Sequence, residues 1–84
     1  MILQYDERKN IINLRKHNIS IPELATIFRN KYSEVVMDIP DIEHSQYEDR
    51  YFAYGWTSTG FYVKIWYTYR EPDTIRIIGG RKIK

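Results

Sequence analysis

The chain has 84 residues, enough for one domain spanning residues 1–84, with 43% hydrophobic and 15% aromatic residues and a formal net charge of +2. It has no cysteine, which excludes disulfides, thiolate metal sites and a cysteine nucleophile, and no apolar run reaches the roughly 18 residues of a membrane span. We therefore expect a soluble, cytoplasmic, globular protein, and the small net charge alone does not indicate a nucleic-acid partner.

The first predicted elements are a short strand and a capped helix. MILQY at residues 1–5 has strand character, Asp6 is placed as an N-cap, and the helix is predicted from about residue 7 to residue 17. Asn18 is expected to end the helix in the left-handed conformation.

The predicted helix has two unlike faces. Ile11 and Leu14 share one face of the helix. The opposite face carries Lys9, Asn13 and Lys16. This polar stripe is either a solvated surface or one wall of a site that handles phosphate. His17 ends the helix, where the dipole favours the protonated imidazole; it either transfers a proton or only helps to close the helix.

A second helix is predicted from about residue 21 to residue 29. Ser20 and Glu23 form a capping-box pattern, and a proline at position 22 is tolerated in the first turn. The residues expected to turn inward are Leu24, Ile27 and Phe28.

The remaining sequence is rich in strand-forming residues. Strands are predicted near residues 34–39, 50–57, 61–69 and 74–80, with a polar acidic loop at 40–49. The order is β-α-α-β-β-β-β. This order predicts an α+β fold in which the two N-terminal helices pack on one face of a mostly antiparallel sheet.

Four arginines lie at the ends of neighbouring predicted strands or within them: Arg50, Arg70, Arg76 and Arg81. Guanidinium groups that converge on one surface form a bidentate phosphate site, and nearby Tyr and Trp rings can stack bases. An equally supported interpretation is that these arginines pair with the five acidic residues at positions 38–49, a stretch without Lys or Arg.

Two other features are weak as functional signals. His44 lies in the acidic loop with Asp41, Glu43 and Glu48, but the spacing matches no metal-ligand signature, and a solvated loop is the favoured interpretation. The pair Gly79-Gly80 either brings the backbone close to a phosphate or simply ends a strand.

Read together, several segments resemble the BrnT family of bacterial toxins. The family pattern WDxxKxxxNxxKHG is similar to residues 5–18, VSFxEA to residues 19–25, DxxHSxxExR to residues 41–50, and TxRxxxxIRIISARK to residues 68–82. The resemblance rests on the order and spacing of the whole set and not on any single piece.

The resemblance implies a RelE/ParE-like fold and a ribonuclease toxin of a type II toxin–antitoxin module. It implies an RNA substrate, no metal and no cofactor, and a complex with a dimeric, BrnA-like ribbon-helix-helix antitoxin. RNA can be cut by attack of its own 2′-hydroxyl on the adjacent phosphate, which requires a base, an acid and cations.

The residues carried over from this resemblance fall into two groups. His17 is the first candidate for proton transfer, followed by Glu48 and Tyr67. The other expected catalytic residues are the cations Lys16, Arg50, Arg70 and Arg76. The expected RNA-binding residues are Lys9, Asn13, Lys64, Arg81 and Lys82.

Two alternative functions stay open. The family pattern continues into a further basic helix, whereas this sequence ends at Lys84. A second hypothesis is therefore an inactive or shortened homologue that only binds an antitoxin. The third is ParE-like inhibition of DNA gyrase, because one fold can host both activities.

Overall fold

The two helices come before four of the five strands, in the predicted order. The computed structural model describes residues 1–83. Its elements are β1 (Ile2–Gln4), α1 (Glu7–His17), α2 (Ile21–Ala25), β2 (Val36–Pro40), β3 (Arg50–Trp56), β4 (Tyr62–Arg70) and β5 (Thr74–Lys82). Short 3₁₀ turns at Thr26–Phe28 and Ile42–His44 follow α2 and β2. The predicted α+β class is confirmed.

The five strands form one mixed sheet with the order β1-β5-β4-β3-β2. β1 lies parallel to β5, and the other three pairs are antiparallel, including the two consecutive hairpins β3–β4 and β4–β5. β1 pairs only with residues 74–76 of β5, so it leaves the later part of that edge without a strand neighbour.

The core lies between α2 and one face of the sheet. Leu24 and Ile27 are buried against a set of inward strand residues that includes Val63, Ile65 and Ile77. A Cβ atom on Gly80 would lie 2.8 Å from Leu24 Cδ1 and 2.7 Å from the carbonyl oxygen of Lys64. α2 therefore packs directly on the backbone of β5, and only glycine fits at this position.

The local signals at the helix ends are confirmed. The Asp6 carboxylate accepts from the backbone N–H of Arg8 at 2.8 Å, and Asn18 ends α1 with φ 56°. Ser20 Oγ accepts from the N–H of Glu23 at 3.2 Å. Helical structure continues from residue 21 to residue 28, but its second part is the 3₁₀ turn.

α1 turns its polar side toward β5 and the face that carries Ile11 and Leu14 toward solvent. These two side chains are 44% and 48% exposed, whereas Asn13 is 5% exposed. Asn13 Nδ2 donates to the carbonyl of Ile19 at 2.9 Å, and its Oδ1 accepts from the N–H of Gly80 at 3.0 Å. Asn13 thus occupies the free edge of β5 beyond β1, which explains the orientation of the helix.

A bulge in β5 changes which residues share a face. Trp66 pairs with Gly79 and Tyr67 pairs with Ile77, so Ile78 is an extra residue in β5. An extra residue reverses the alternation of side chains beyond it. The glycine pair does not end the strand, because β5 continues to Lys82.

Candidate active site

The face of the sheet opposite the core, called the outer face below, carries cations and aromatic rings in rows. These rows run across β3, β4 and β5 through residues that are directly paired and therefore share a face. They are Arg50–Thr68–Arg76, Phe52–Trp66–Gly79 and Tyr54–Lys64–Arg81. An aromatic row thus lies between two rows that hold cations.

One depression on this face, called the main groove below, has a volume of about 660 Å³. It is lined by Asp41, Glu43, His44, Arg50, Phe52, Lys64 and Trp66. The ammonium of Lys64 lies 3.9 Å from the centre of the Phe52 ring, so the cation rests on an aromatic surface. Charged and stacking groups are therefore present in one cavity.

A smaller depression, the helix groove, lies between α1 and β5 and has a volume of about 180 Å³. It is lined by Lys9, Ile12, Asn13, Lys16, His17, Trp66 and Ile78. The Trp66 indole reaches it across Gly79, where a Cβ atom would be only 2.8 Å from Trp66 Nε1. Trp66 therefore borders both grooves and forms a wall that they share.

His17 meets this surface through Trp66. The two ring centres are 5.9 Å apart in an edge-to-face arrangement. Desolvation by burial, followed by the charges of Lys16 and Arg81, lowers the pKa of His17 below its ordinary value of 6.5. This direction is opposite to the effect expected of the helix dipole alone. His17 is neutral at pH 7 and can accept a proton.

The expectation that the arginines pair with the acidic stretch is confirmed for two of the four. Glu48 lies 2.9 Å from Arg70 Nη1 and 3.6 Å from Arg50 Nε. Glu48 and Arg70 line a third groove with Asp49, Tyr51, Thr68 and Tyr69. Arg76 instead donates to Gln4 Oε1 at 2.8 Å. The structure thus places Glu48 and Arg70 in a different groove from His17.

Tyr67 is not part of the outer face. Its side chain is fully buried in the core, its hydroxyl donates to Asp38 Oδ1 at 2.6 Å, and the N–H of Asp38 donates to it at 2.7 Å. Burial, with the hydrogen bond to Asp38 as the second cause, raises the pKa of Tyr67 well above its ordinary value. The expected role of Tyr67 in proton transfer is therefore wrong, because RNA cannot reach its hydroxyl.

Two expected RNA-binding residues are also placed elsewhere. Lys82 is paired with Val63 on the core side of the sheet, and its ammonium lies 4.4 Å from the centre of the Phe61 ring. Asn13 is buried, and both ends of its amide are used in hydrogen bonds to backbone groups. These positions contradict direct RNA contacts by Lys82 and Asn13.

The sequence interpretation weighed His44 and Asp41 only as part of a metal site and did not predict that they form a hydrogen-bonded pair. His44 Nδ1 lies 3.0 and 3.1 Å from the two carboxylate oxygens of Asp41. The i,i+3 spacing of an acid and a histidine was visible in the sequence, but the loop gave no regular geometry to judge it by. Within residues 1–83, no group of three or more His, Asp or Glu side chains is arranged to hold a metal ion.

The same part of the chain contains no helix that is both long enough and apolar enough to span a membrane. In a comparison of folds, the chain is similar to the crystal structure of the Brucella abortus ribonuclease toxin BrnT. The TM-score is 0.67 at 15% sequence identity, and the match covers 100% of this chain and 99% of that chain. No curated protein matches the sequence.

The sequence was also compared with models of protein families. Residues 5–84 match the model described as the ribonuclease toxin, BrnT, of type II toxin–antitoxin systems. The match includes all four segments on which the resemblance rests. The chain belongs to the BrnT family of ribonuclease toxins of type II toxin–antitoxin systems.

Proposed function

We propose that this chain is a metal-independent, RelE/ParE-like endoribonuclease whose substrate lies across the outer face and the helix groove. The proposal is carried by the setting of His17, a neutral imidazole against Trp66 with Lys16 and Arg81 nearby. A base beside cations and a half-buried ring at the wall of two grooves suits a phosphodiester flanked by bases.

In the proposed reaction, His17 takes the proton of a ribose 2′-hydroxyl while that oxygen attacks the neighbouring phosphorus. Negative charge grows on the phosphoryl oxygens in the transition state, where cations stabilise it more than in the ground state. Lys16 and Arg81 are the cations nearest to His17, and Lys9 lines the same groove. Arg50 and Lys64 hold the next phosphates along the main groove.

The aromatic row gives the surface its affinity for unpaired bases. Stacking of a base on an aromatic side chain contributes about 1–3 kcal/mol and tolerates any base identity. Trp66 and Phe52 are directly paired neighbours on the outer face, so two bases of one strand can stack side by side. A single-stranded RNA therefore fits this surface better than a duplex, in which the bases are already stacked.

A labelled RNA oligonucleotide tests the proposal. In the presence of EDTA, the purified chain should produce fragments that end in 2′,3′-cyclic phosphate and begin with 5′-hydroxyl. An oligonucleotide with 2′-O-methyl riboses should stay intact, and His17→Ala should slow cleavage by about 10²–10⁴-fold. Cleavage that needs a divalent metal, or that proceeds on the methylated RNA, would contradict the mechanism.

The proposed partner is a ribbon-helix-helix antitoxin, supported by membership of a type II toxin–antitoxin family. Its reading frame should lie beside that of this chain, and the two proteins should co-purify. Co-purification without any RNA cleavage would instead support the hypothesis of a protein that only binds the antitoxin. Inhibition of gyrase supercoiling in the absence of cleavage would support the ParE-like activity.

A further inference from the structure

The pair formed by Asp41 and His44 has an unusual distribution of burial. The Asp41 side chain is only 8% exposed, whereas the His44 side chain is 59% exposed. Both carboxylate oxygens contact His44 Nδ1, which is their only hydrogen-bond partner among residues 1–83. A buried carboxylate that faces a single nitrogen of an accessible imidazole fixes the orientation of that ring.

Closure of the surrounding loop does not depend on this pair. The N–H of Asp41 donates to the carbonyl of Arg50 at 2.8 Å. Ser45 Oγ donates to the carbonyl of Asp41 at 2.6 Å and accepts from the N–H of Arg50 at 2.9 Å. One backbone bond and two bonds of the Ser45 hydroxyl thus join the two ends of the loop. The side-chain pair is therefore available for another role.

His44 and His17 line two grooves that share one wall residue, Trp66. His44 lines the main groove, His17 lines the helix groove, and Trp66 lines both. The charged groups that face His44 in its groove are Asp41, Glu43, Arg50 and Lys64. An RNA strand that stacks a base on Trp66 thus has one imidazole on either side of it.

The proposed cleavage needs two proton transfers, and His17 accounts for only one of them. Because Asp41 engages Nδ1, the nitrogen that His44 can present to a substrate is Nε2. We infer that His44 is a second catalytic residue that protonates the leaving 5′-oxygen, and that Asp41 is its positioning residue. This inference rests on the proposed ribonuclease function.

One cleavage transfers one proton to His17 and one proton from His44, with one bond to phosphorus formed and one broken. The 2′-hydroxyl proton moves to His17, the bond from the 2′-oxygen to phosphorus forms, and the bond from phosphorus to the 5′-oxygen breaks. The 5′-oxygen takes the proton from Nε2 of His44. The products are a 2′,3′-cyclic phosphate and a 5′-hydroxyl, and the two histidines exchange protons with water before the next turnover.

An RNA with sulfur in place of the scissile 5′-oxygen tests the assigned role. A thiolate is a good leaving group without protonation, so it does not need a general acid. The His44→Ala variant should cleave ordinary RNA about 10²–10⁴-fold more slowly than wild type. It should cleave the sulfur-containing RNA at nearly the wild-type rate. His17→Ala should be slow on both substrates, because attack by the 2′-hydroxyl still requires a base.

Asp41→Asn should show the same pattern as His44→Ala, with a lower kcat on ordinary RNA and a nearly unchanged KM. Its midpoint of urea unfolding should stay close to wild type, because Ser45 and the backbone close the loop. A role of Asp41 in loop structure alone would instead lower the unfolding midpoint and slow both substrates equally. Gln46→Ala, at an exposed position of the same loop, is the control and should not change either rate.

The outcomes separate this inference from the proposed function. Wild-type protein that cuts neither RNA would overturn the proposed function itself. Wild-type protein that cuts ordinary RNA, together with a His44→Ala variant of equal rate, would overturn only the inference. A folded His44→Ala variant that is equally slow on both RNAs would also overturn it, because the defect would then not lie in protonation of the leaving group.

Discussion

At the scale of single residues, the chemistry of His17 is set by neighbours that are distant in sequence. Arg81 reaches it from β5 and Trp66 from β4, whereas only Lys16 adjoins it in the chain. A sequence position at the end of a helix predicted stabilisation of the charged form. Burial and the charges of Lys16 and Arg81 instead lower the pKa of His17.

The lowered pKa of His17 can be measured by NMR titration of its ring protons. We expect a midpoint below 6.5, and Arg81→Gln should raise it because one of the two cationic neighbours is removed. Lys82→Gln, the next residue on the other side of the sheet, should leave it unchanged. A midpoint that does not respond to Arg81→Gln would contradict the placement of this guanidinium beside the imidazole.

The lowered pKa of His17 also predicts how the stability of the folded protein changes with pH. The unfolded chain binds a proton at His17 near pH 6.5, whereas the folded chain resists protonation until a lower pH. The stabilising effect of a neutral His17 is therefore complete above pH 6.5 and is lost as the pH falls through the folded-state value. Urea unfolding at pH 5 and pH 7.5 should show a smaller difference for His17→Gln than for wild type.

Tyr67 shows what strand alternation can predict. Tyr67 is two residues from Ile65 and four from Val63, so strand alternation already placed it on the same apolar face of β4. It was nevertheless considered for proton transfer because it carries a hydroxyl group. Tyr67→Phe should lower the free energy of unfolding by about 1 kcal/mol, since one hydroxyl with two hydrogen bonds to Asp38 is lost. The RNA cleavage rate of this variant should equal that of wild type. A large loss of rate would show that Tyr67 takes part in cleavage.

At the scale of elements, the ends of the helices were predictable and the orientation of α1 was not. Caps such as Asp6 and Ser20 act within three residues, so the local sequence contains all the information. The contact that orients α1 joins Asn13 to Gly80, and these residues are 67 positions apart. Helical periodicity alone does not show that a polar edge of β5 needs a partner.

Asn13→Ala should therefore be costly for stability. It leaves the N–H of Gly80 and the carbonyl of Ile19 without their hydrogen-bond partner, which we expect to lower the free energy of unfolding by about 2–4 kcal/mol. Arg8→Ala, at an exposed position of the same helix, should change it by less than about 0.5 kcal/mol. Equal effects of the two substitutions in urea unfolding would show that Asn13 does not hold α1 to the sheet.

At the scale of the whole molecule, the two faces of the sheet have different roles. One face packs on α2, and the outer face presents the cations and aromatic rings. The sequence predicted the strands and most of these cations but not their distribution between the faces. The bulge at Ile78 is what places Arg76 and Arg81 on one side and Lys82 on the other, and no local pattern in the sequence marks it.

Arg81 and Lys82 are adjacent, carry equal charge and lie on opposite faces of the sheet, so they test which face binds RNA. Arg81→Gln should weaken binding of single-stranded RNA and reduce the slope of log K against log salt by about 0.7, as one phosphate contact is lost. Lys82→Gln removes the same charge from the other face and should leave the slope unchanged. Filter-binding or fluorescence titrations over a series of salt concentrations, with His17→Ala in both backgrounds to prevent cleavage, give the comparison. Equal slopes for both variants would contradict the outer face as the RNA surface.

The position of β5 also has a consequence for synthesis of the protein on the ribosome. Residues 74–82 form the strand between β1 and β4, and they supply both Gly80, which holds α1, and Arg81, which adjoins His17. A nascent chain that lacks these residues has α1 without its anchor and His17 without one of its cations. The outer face beside β5 and the helix groove are therefore assembled only after residue 82 has been translated.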